Sequence, residues 1–171
     1  PEFSVVGGQI AEFVDKPNTI VHYRIVPTLH KEIYTMAKKR NPMNHMTVVL
    51  RKSDVLECGS YCNFPLFEDY HLWVRMLCKG KLLCNVHNVC VMARVNSMFN
   101  RRRGISYYKK SKQMMKFLLS LKVISYPRYI INILVRFVAT VIVPKRMLNR
   151  IMPVFTRKKV IGTDAKNVQE L

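Results

Sequence analysis

Acidic residues are what this chain lacks most. Only 10 of its 171 residues are Asp or Glu, against 29 Lys or Arg, and none lies between Asp69 and Asp164. Residues 1–69 carry 8 acids and 8 Lys/Arg, whereas residues 70–163 carry 20 Lys/Arg and no acid. The net charge of +19 therefore belongs to the second part of the chain. Such a field attracts a polyanion or an anionic membrane surface. Paired cysteines are missing as well. The five cysteines include no CxxC pair, which argues against zinc or a disulfide framework and suits a reducing compartment. No apolar run is long enough to span a bilayer: Ile130 to Val143 is 14 residues, and a spanning helix needs about 20. No signal peptide is expected from the residues that open the chain, and the sequence shows no internal repeat, no low-complexity tract and no dinucleotide fingerprint at Gly7-Gly8. The chain opens on "PEFSVVGGQ", without an initiating Met, and reads as part of a longer protein.

What is present is enough apolar residue, 49%, for one ordinary domain with a real core. "SVVGGQIAEF" reads as two strand pieces broken at the glycines, and "TIVHYRIV" as a second strand. "PTLHKEIYTMAKKR" reads as a helix capped by Thr28, with Leu29, Ile33 and Met36 or Ala37 as its apolar stripe. "NPMNH" breaks it, "MTVVL" is a buried-strand candidate, and "KSDVLECGSY" is a short helix ending at Gly59. A helix follows Pro65 and stops at Gly80. "KLLCNVHNVCVMARV" suggests two short strands around a turn at Asn85–Asn88. Residues 1–95 thus mix strands and helices as an α/β or α+β layer. Beyond "RRRG" the pattern changes to basic amphipathic helices. There Asn132, Arg136 and Thr140, spaced by four, form one narrow polar stripe.

Glu68 and Asp69 open the helix after Pro65. Acids in a first turn favour the macrodipole by ~0.3–1 kcal/mol, a sufficient account of Glu68. Asp69 shares a helical face with Trp73 and Met76, where a carboxylate loses solvation unless it has a partner or a task. That setting also suits a general base.

These residues carry a resemblance. "FPLFEDYHLWVRML" resembles the EDYxLWxRML signature of bacterial family 2 glycosyltransferases that build capsule, exopolysaccharide or O-antigen. "RNPMNHMTVVLRKS" and "VVGGQIAEF" resemble the stretches upstream of it, and the similarity covers about residues 1–105. The resemblance implies the C-terminal half of a GT-A fold, an α/β Rossmann-like glycosyltransferase domain. Residues 1–100 would be its acceptor side, 101–160 a membrane-associated basic helical region and 161–171 a tail. It implies inverting transfer from a nucleotide-sugar donor to a saccharide or lipid-linked acceptor, on the cytoplasmic face of the cell membrane. Asp69 would then be the catalytic base, with Glu68 holding the acceptor or orienting the base. Asn44 and His45 would meet the sugar or diphosphate, with hydrogen bonding inside the loop as the alternative. Trp73 is either a sugar platform or core. Arg75 either pairs with Glu68 or steadies the site, or is an exposed helix arginine. Arg94, Arg101, Arg102 and Arg103 suit a pyrophosphate or a solvated loop. The family's divalent Mg or Mn is held by a DxD motif, which this chain does not contain, so the chain alone is expected to bind no metal and to be inactive. Three departures from the family pattern are Gly59-Ser60-Tyr61 for Gly-Gly-Tyr, Asn85-Val86-His87-Asn88 for Asn-Ile-Pro-Glu, and Ala93 for an aromatic. The competing reading is a basic nucleic-acid- or membrane-binding module without catalysis. Nucleic acid is the weaker partner, because long apolar runs dilute the charge and no nucleic-acid motif is present.

Overall fold

The computed structural model describes residues 2–95 and 103–143, together with the backbone of 158–159. Arg101 and Arg102, the tail and much of the basic region lie outside the described residues. The described elements form a mixed α/β fold. In order they are β1 (Val5–Phe13), β2 (Ile20–Arg24), α1 (His30–Ala37), a 3-10 turn (His45–Thr47), β3 (Val49–Leu50) and α2 (Lys52–Glu57). Then come α3 (Glu68–Cys78), β4 (Leu83–Arg94), α4 (Gly104–Ser120), α5 (Tyr126–Phe137), a π turn (Val138–Ile142) and β5 (Lys158–Lys159).

The central strand is β1. It pairs antiparallel with β2 and β3 along one edge and parallel with β4 along the other, while β5 extends β2. Covered on both sides, β1 is buried almost throughout, which is why it reads as apolar rather than alternating. Its glycines do not break it. A Cβ at Gly7 would lie 2.3 Å from Asn85 Oδ1, and one at Gly8 would lie 2.3 Å from Cys90 Sγ, so both glycines admit β4 at close range. The turn expected at Asn85–Asn88 is instead a bulge in one long β4. Gly7 faces Asn85 and Gln9 faces Val89, so β4 advances four residues while β1 advances two. Gln9 fills the gap: its Nε2 donates to the carbonyls of Val26 and Val86, and its Oε1 accepts the Val26 amide. Gly7→Ala is accordingly expected to cost about 1–3 kcal/mol, as overpacking does, read as a lower urea midpoint at unchanged slope.

Two other expectations change. "MTVVL" yields only two strand residues, and Val49 is 74% exposed at the sheet edge. Thr28 does not cap α1. Leu29 takes the cap position without a side-chain bond, and the Thr28 carbonyl instead accepts the Asn85 amide. The helix ends follow the sequence more closely. At α3 the Gly80 amide bonds the Leu77 carbonyl and the Lys81 amide bonds that of Met76, with Gly80 at φ +73°. α2 closes the same way on Gly59 at φ +79°, through Gly59 to Leu56 and Ser60 to Val55. Both are Schellman ends, which need the left-handed residue that glycine supplies.

One apolar cluster joins the sheet to all the principal helices. Val5, Ile33, Met43, Trp73, Met76, Leu83, Met114, Met115 and Leu118 are wholly buried in it. The basic helix α4 therefore shares the core of α3. His71 of α3 packs against the rings of both Phe64 and Phe117, at centroid distances of 4.7 and 4.1 Å. Burial, helped by Arg75, pushes the pKa of this imidazole below its ordinary value and so favours the neutral ring. The expected polar stripe of α5 exists, and it faces inward, while Ile131, Leu134, Val135, Val138 and Ile142 are exposed on the outer side.

Candidate active site

The site is assembled at the start of α3. Asp69 is half-buried in the first helical turn. Its Oδ1 accepts the Tyr70 amide at 2.7 Å and its Oδ2 accepts Asn41 Nδ2 at 2.6 Å. Asn41 is fixed in turn, since its Oδ1 accepts the Met43 amide at 3.1 Å. The carboxylate is thus held in one orientation by two donors and keeps lone pairs for a third. Glu68, on the neighbouring face, is exposed.

A second pair stands beside it. His45 Nε2 and the Tyr61 hydroxyl are 3.0 Å apart, and the His45 ring meets the Trp73 indole edge-on at 6.0 Å. Partial burial pushes the Tyr61 hydroxyl pKa up, and the Asp69 charge adds to that, which places the carboxylate and the phenol in one electrostatic neighbourhood. Both His45 and Tyr61 are exposed, so the Asp69–Tyr61–His45 face is open to a ligand. The arrangement offers a carboxylate that can take a proton, flanked by a phenol and an imidazole that can hydrogen-bond a polyol.

Tyr61 owes its place to Arg75. The Arg75 guanidinium donates to the carbonyls of Cys58 and Ser60, one from each terminal nitrogen, and so clamps the loop that presents Tyr61. A Cβ on Gly59 would lie 3.0 Å from Arg75 Nη1. Ser60 follows at φ +53°, where the resembling family carries a second glycine, so this chain accepts backbone strain of about 1–2 kcal/mol at that point.

The remaining candidates separate on burial. Asn44 is fully buried, with Nδ2 donating to the carbonyls of Gly8 at 2.8 Å and Arg24 at 3.3 Å. It ties the "NPMNH" break to β1 and β2 and presents nothing to a substrate. Trp73 is also fully buried, so it cannot stack on a sugar, and it forms the wall behind His45. Arg94 is exposed at the far end of β4, its guanidinium over the Phe13 ring at 5.4 Å. Asn41 and Tyr61 are the residues that sequence reasoning missed as site members. The signal lay in "RNPMNH" and in Gly59-Ser60-Tyr61, both quoted for the family resemblance. Among the described residues no group of three or more His, Cys, Asp or Glu could hold a metal ion.

No protein-family model matches the chain. It is 38% identical over 159 residues to an uncharacterized glycosyltransferase of Haemophilus influenzae, covering 92% of this chain and 58% of that relative. It is 31% identical over 167 residues to the amylovoran biosynthesis glycosyltransferase AmsE of Erwinia amylovora, covering 97% of this chain and 58% of the relative. It is also 31% identical over 133 residues to the UDP-Gal:alpha-D-GlcNAc-diphosphoundecaprenol beta-1,3-galactosyltransferase of Escherichia coli, covering 77% and 48%. The chain therefore spans about half the length of the curated relatives it matches.

Proposed function

We propose, from the similarity to three curated glycosyltransferases, that this chain is the acceptor side of a sugar-transferring enzyme of surface-polysaccharide synthesis. The finer reading is a family 2, GT-A-type, inverting hexosyltransferase whose Rossmann-like, nucleotide-binding half is supplied by other residues of the whole protein. The observation that carries it is the half-buried Asp69 carboxylate, held by Asn41 beside the exposed Tyr61–His45 pair. In this reading Asp69 takes the proton of the acceptor hydroxyl as that oxygen attacks the anomeric carbon. The C–O bond to the nucleotide diphosphate breaks on the opposite face. A single in-line displacement needs one base, and the leaving diphosphate needs positive charge rather than a proton. Tyr61 and His45 would orient the acceptor sugar, and Glu68 would bind at its rim. A divalent cation, Mg or Mn, belongs to the proposal for the whole enzyme. The described residues offer no ligand set for it, and no step here runs through it.

The donor would be a nucleotide-sugar. The acceptor would be a saccharide, lipid-linked as in the name of the Escherichia coli relative. The decisive assay incubates the full-length protein with labelled UDP-, GDP- and dTDP-hexoses on membranes of the source cell, which contain the native acceptor. One donor should label lipid-extractable or polymeric saccharide. No transfer from any of them above the heat-killed control would sink the reading.

A peripheral position on the cytoplasmic side of the membrane completes the proposal. Among the described residues no helix is long and apolar enough to cross a bilayer. The outer face of α5 exposes Leu134 at 57% and Val135 at 62%, in a region with 20 Lys/Arg and no acid across residues 70–163. Apolar insertion and attraction to anionic headgroups would then act together. The full-length protein should sediment with phosphatidylglycerol vesicles about tenfold more than with phosphatidylcholine, and about 0.5 M salt should reduce the difference. Equal sedimentation with both lipids would contradict it.

A further inference from the structure

Helix α1 ends on the carbonyls of Ala37, Lys38 and Lys39, which have no partner within the helix. Each is met by a side chain from another helix. The Tyr70 hydroxyl of α3 donates to Ala37 O. Asn132 Nδ2 of α5 donates to Lys38 O at 3.0 Å, and Arg136 Nη2 of α5 to Lys39 O at 2.5 Å. The other arm of the Arg136 guanidinium donates to Ser111 Oγ of α4 at 2.9 Å. Two residues beyond Lys39, Asn41 donates to Asp69. The segment that orients the carboxylate is therefore gripped by α3 itself, through Tyr70, and by α5, whose Asn132 and Arg136 lie 94–97 residues further along the chain.

We propose that Asn132 and Arg136 are positioning residues for Asp69, acting through the 38–41 turn and the Asn41 amide; this rests on the reading of Asp69 as the base. The burial of Tyr70 supports a fixed end to the turn. Its hydroxyl pKa is raised well above the ordinary value, chiefly by burial, so it stays protonated and remains a donor. One end of the turn is then held by α3 itself and the other by α5. Without the α5 grip, two carbonyls lose their donors and the turn is free to move away from Asp69. Displacing a catalytic group by about 1 Å costs rate rather than binding.

The test uses the full-length protein and the donor that it turns over on native membranes. Arg136→Ala and Asn132→Ala should each lower kcat about tenfold, with the donor KM within about twofold. Asn41→Ala should lower kcat by a similar or larger factor. Combining Asn41→Ala with Arg136→Ala should then add little, because both act on one contact. Arg136→Lys, which keeps one donor, should recover part of the loss. Ile133→Ala, on the same helix and packed against the core, supplies a control that loosens α5 without removing either donor. Multiplying losses in the double variant, or an equal fall in kcat for Ile133→Ala, would overturn the proposal. A fully active Asp69→Asn would instead remove the base assignment itself. Hydrogen exchange gives an answer independent of turnover. The amides of residues 38–41 and 43 should exchange at least about tenfold faster in Arg136→Ala than in Ile133→Ala. Unchanged protection there would also overturn it.

Discussion

Asp69→Asn is expected to lower sugar transfer by about 10²–10⁴-fold, the contribution of a positioned general base, while the protein stays folded. The substitution keeps shape and volume and replaces the proton acceptor with an amide that cannot take up a proton. Its structural cost is also legible. One Asn oxygen can still accept the Tyr70 amide, but the new NH2 then faces the Asn41 NH2, which cannot turn away because Asn41 Oδ1 accepts Met43 N. A lost hydrogen bond of this kind costs about 1 kcal/mol. The exchanged pair Asn41→Asp with Asp69→Asn restores the donor–acceptor match and should restore the urea midpoint. It should not restore transfer, because the carboxylate then hangs from the wrong element. Transfer within about threefold of wild type in Asp69→Asn would leave the carboxylate as a helix start and nothing more.

Arg75→Ala is expected to have the largest effect on stability, about 3 kcal/mol. Two carbonyls, of Cys58 and Ser60, lose charged donors at a partly buried loop, and such bonds contribute about 1.5–3 kcal/mol each before solvent exposure reduces them. Arg75→Lys should recover less than half, since an ammonium cannot fork to two carbonyls as a guanidinium does. The loop also presents Tyr61, so turnover should fall as well. Denaturant melts decide between the clamp and a substrate contact. An unchanged midpoint with a donor or acceptor KM raised about tenfold would make Arg75 a ligand instead.

Several features of this protein are local and can be read along the chain. Helix α3 begins after Pro65 and ends at Gly80 because proline and a left-handed glycine are properties of single residues and their neighbours. The Asp69–Trp73–Met76 face follows from the helical period alone, and so does the spacing of Asn132, Arg136 and Thr140. The confinement of net positive charge to residues 70–163 is arithmetic on the sequence.

Other features depend on contacts between distant residues. Gly7 and Gly8 look like a break until β4 is seen to pass within reach of them, with Asn85 and Cys90 in the space a Cβ would take. Asn44 and Asn41 are the same residue type three apart in one loop. Only packing sends the first into the interior, against the carbonyls of Gly8 and Arg24, and the second onto Asp69. The α5 stripe shows the limit most plainly. Periodicity says that Asn132 and Arg136 share a side, and hydropathy would turn that side to water. Asn132 is buried and Arg136 half-buried because the end of α1, 94–97 residues away in sequence, has carbonyls left without helical partners, which these two side chains satisfy.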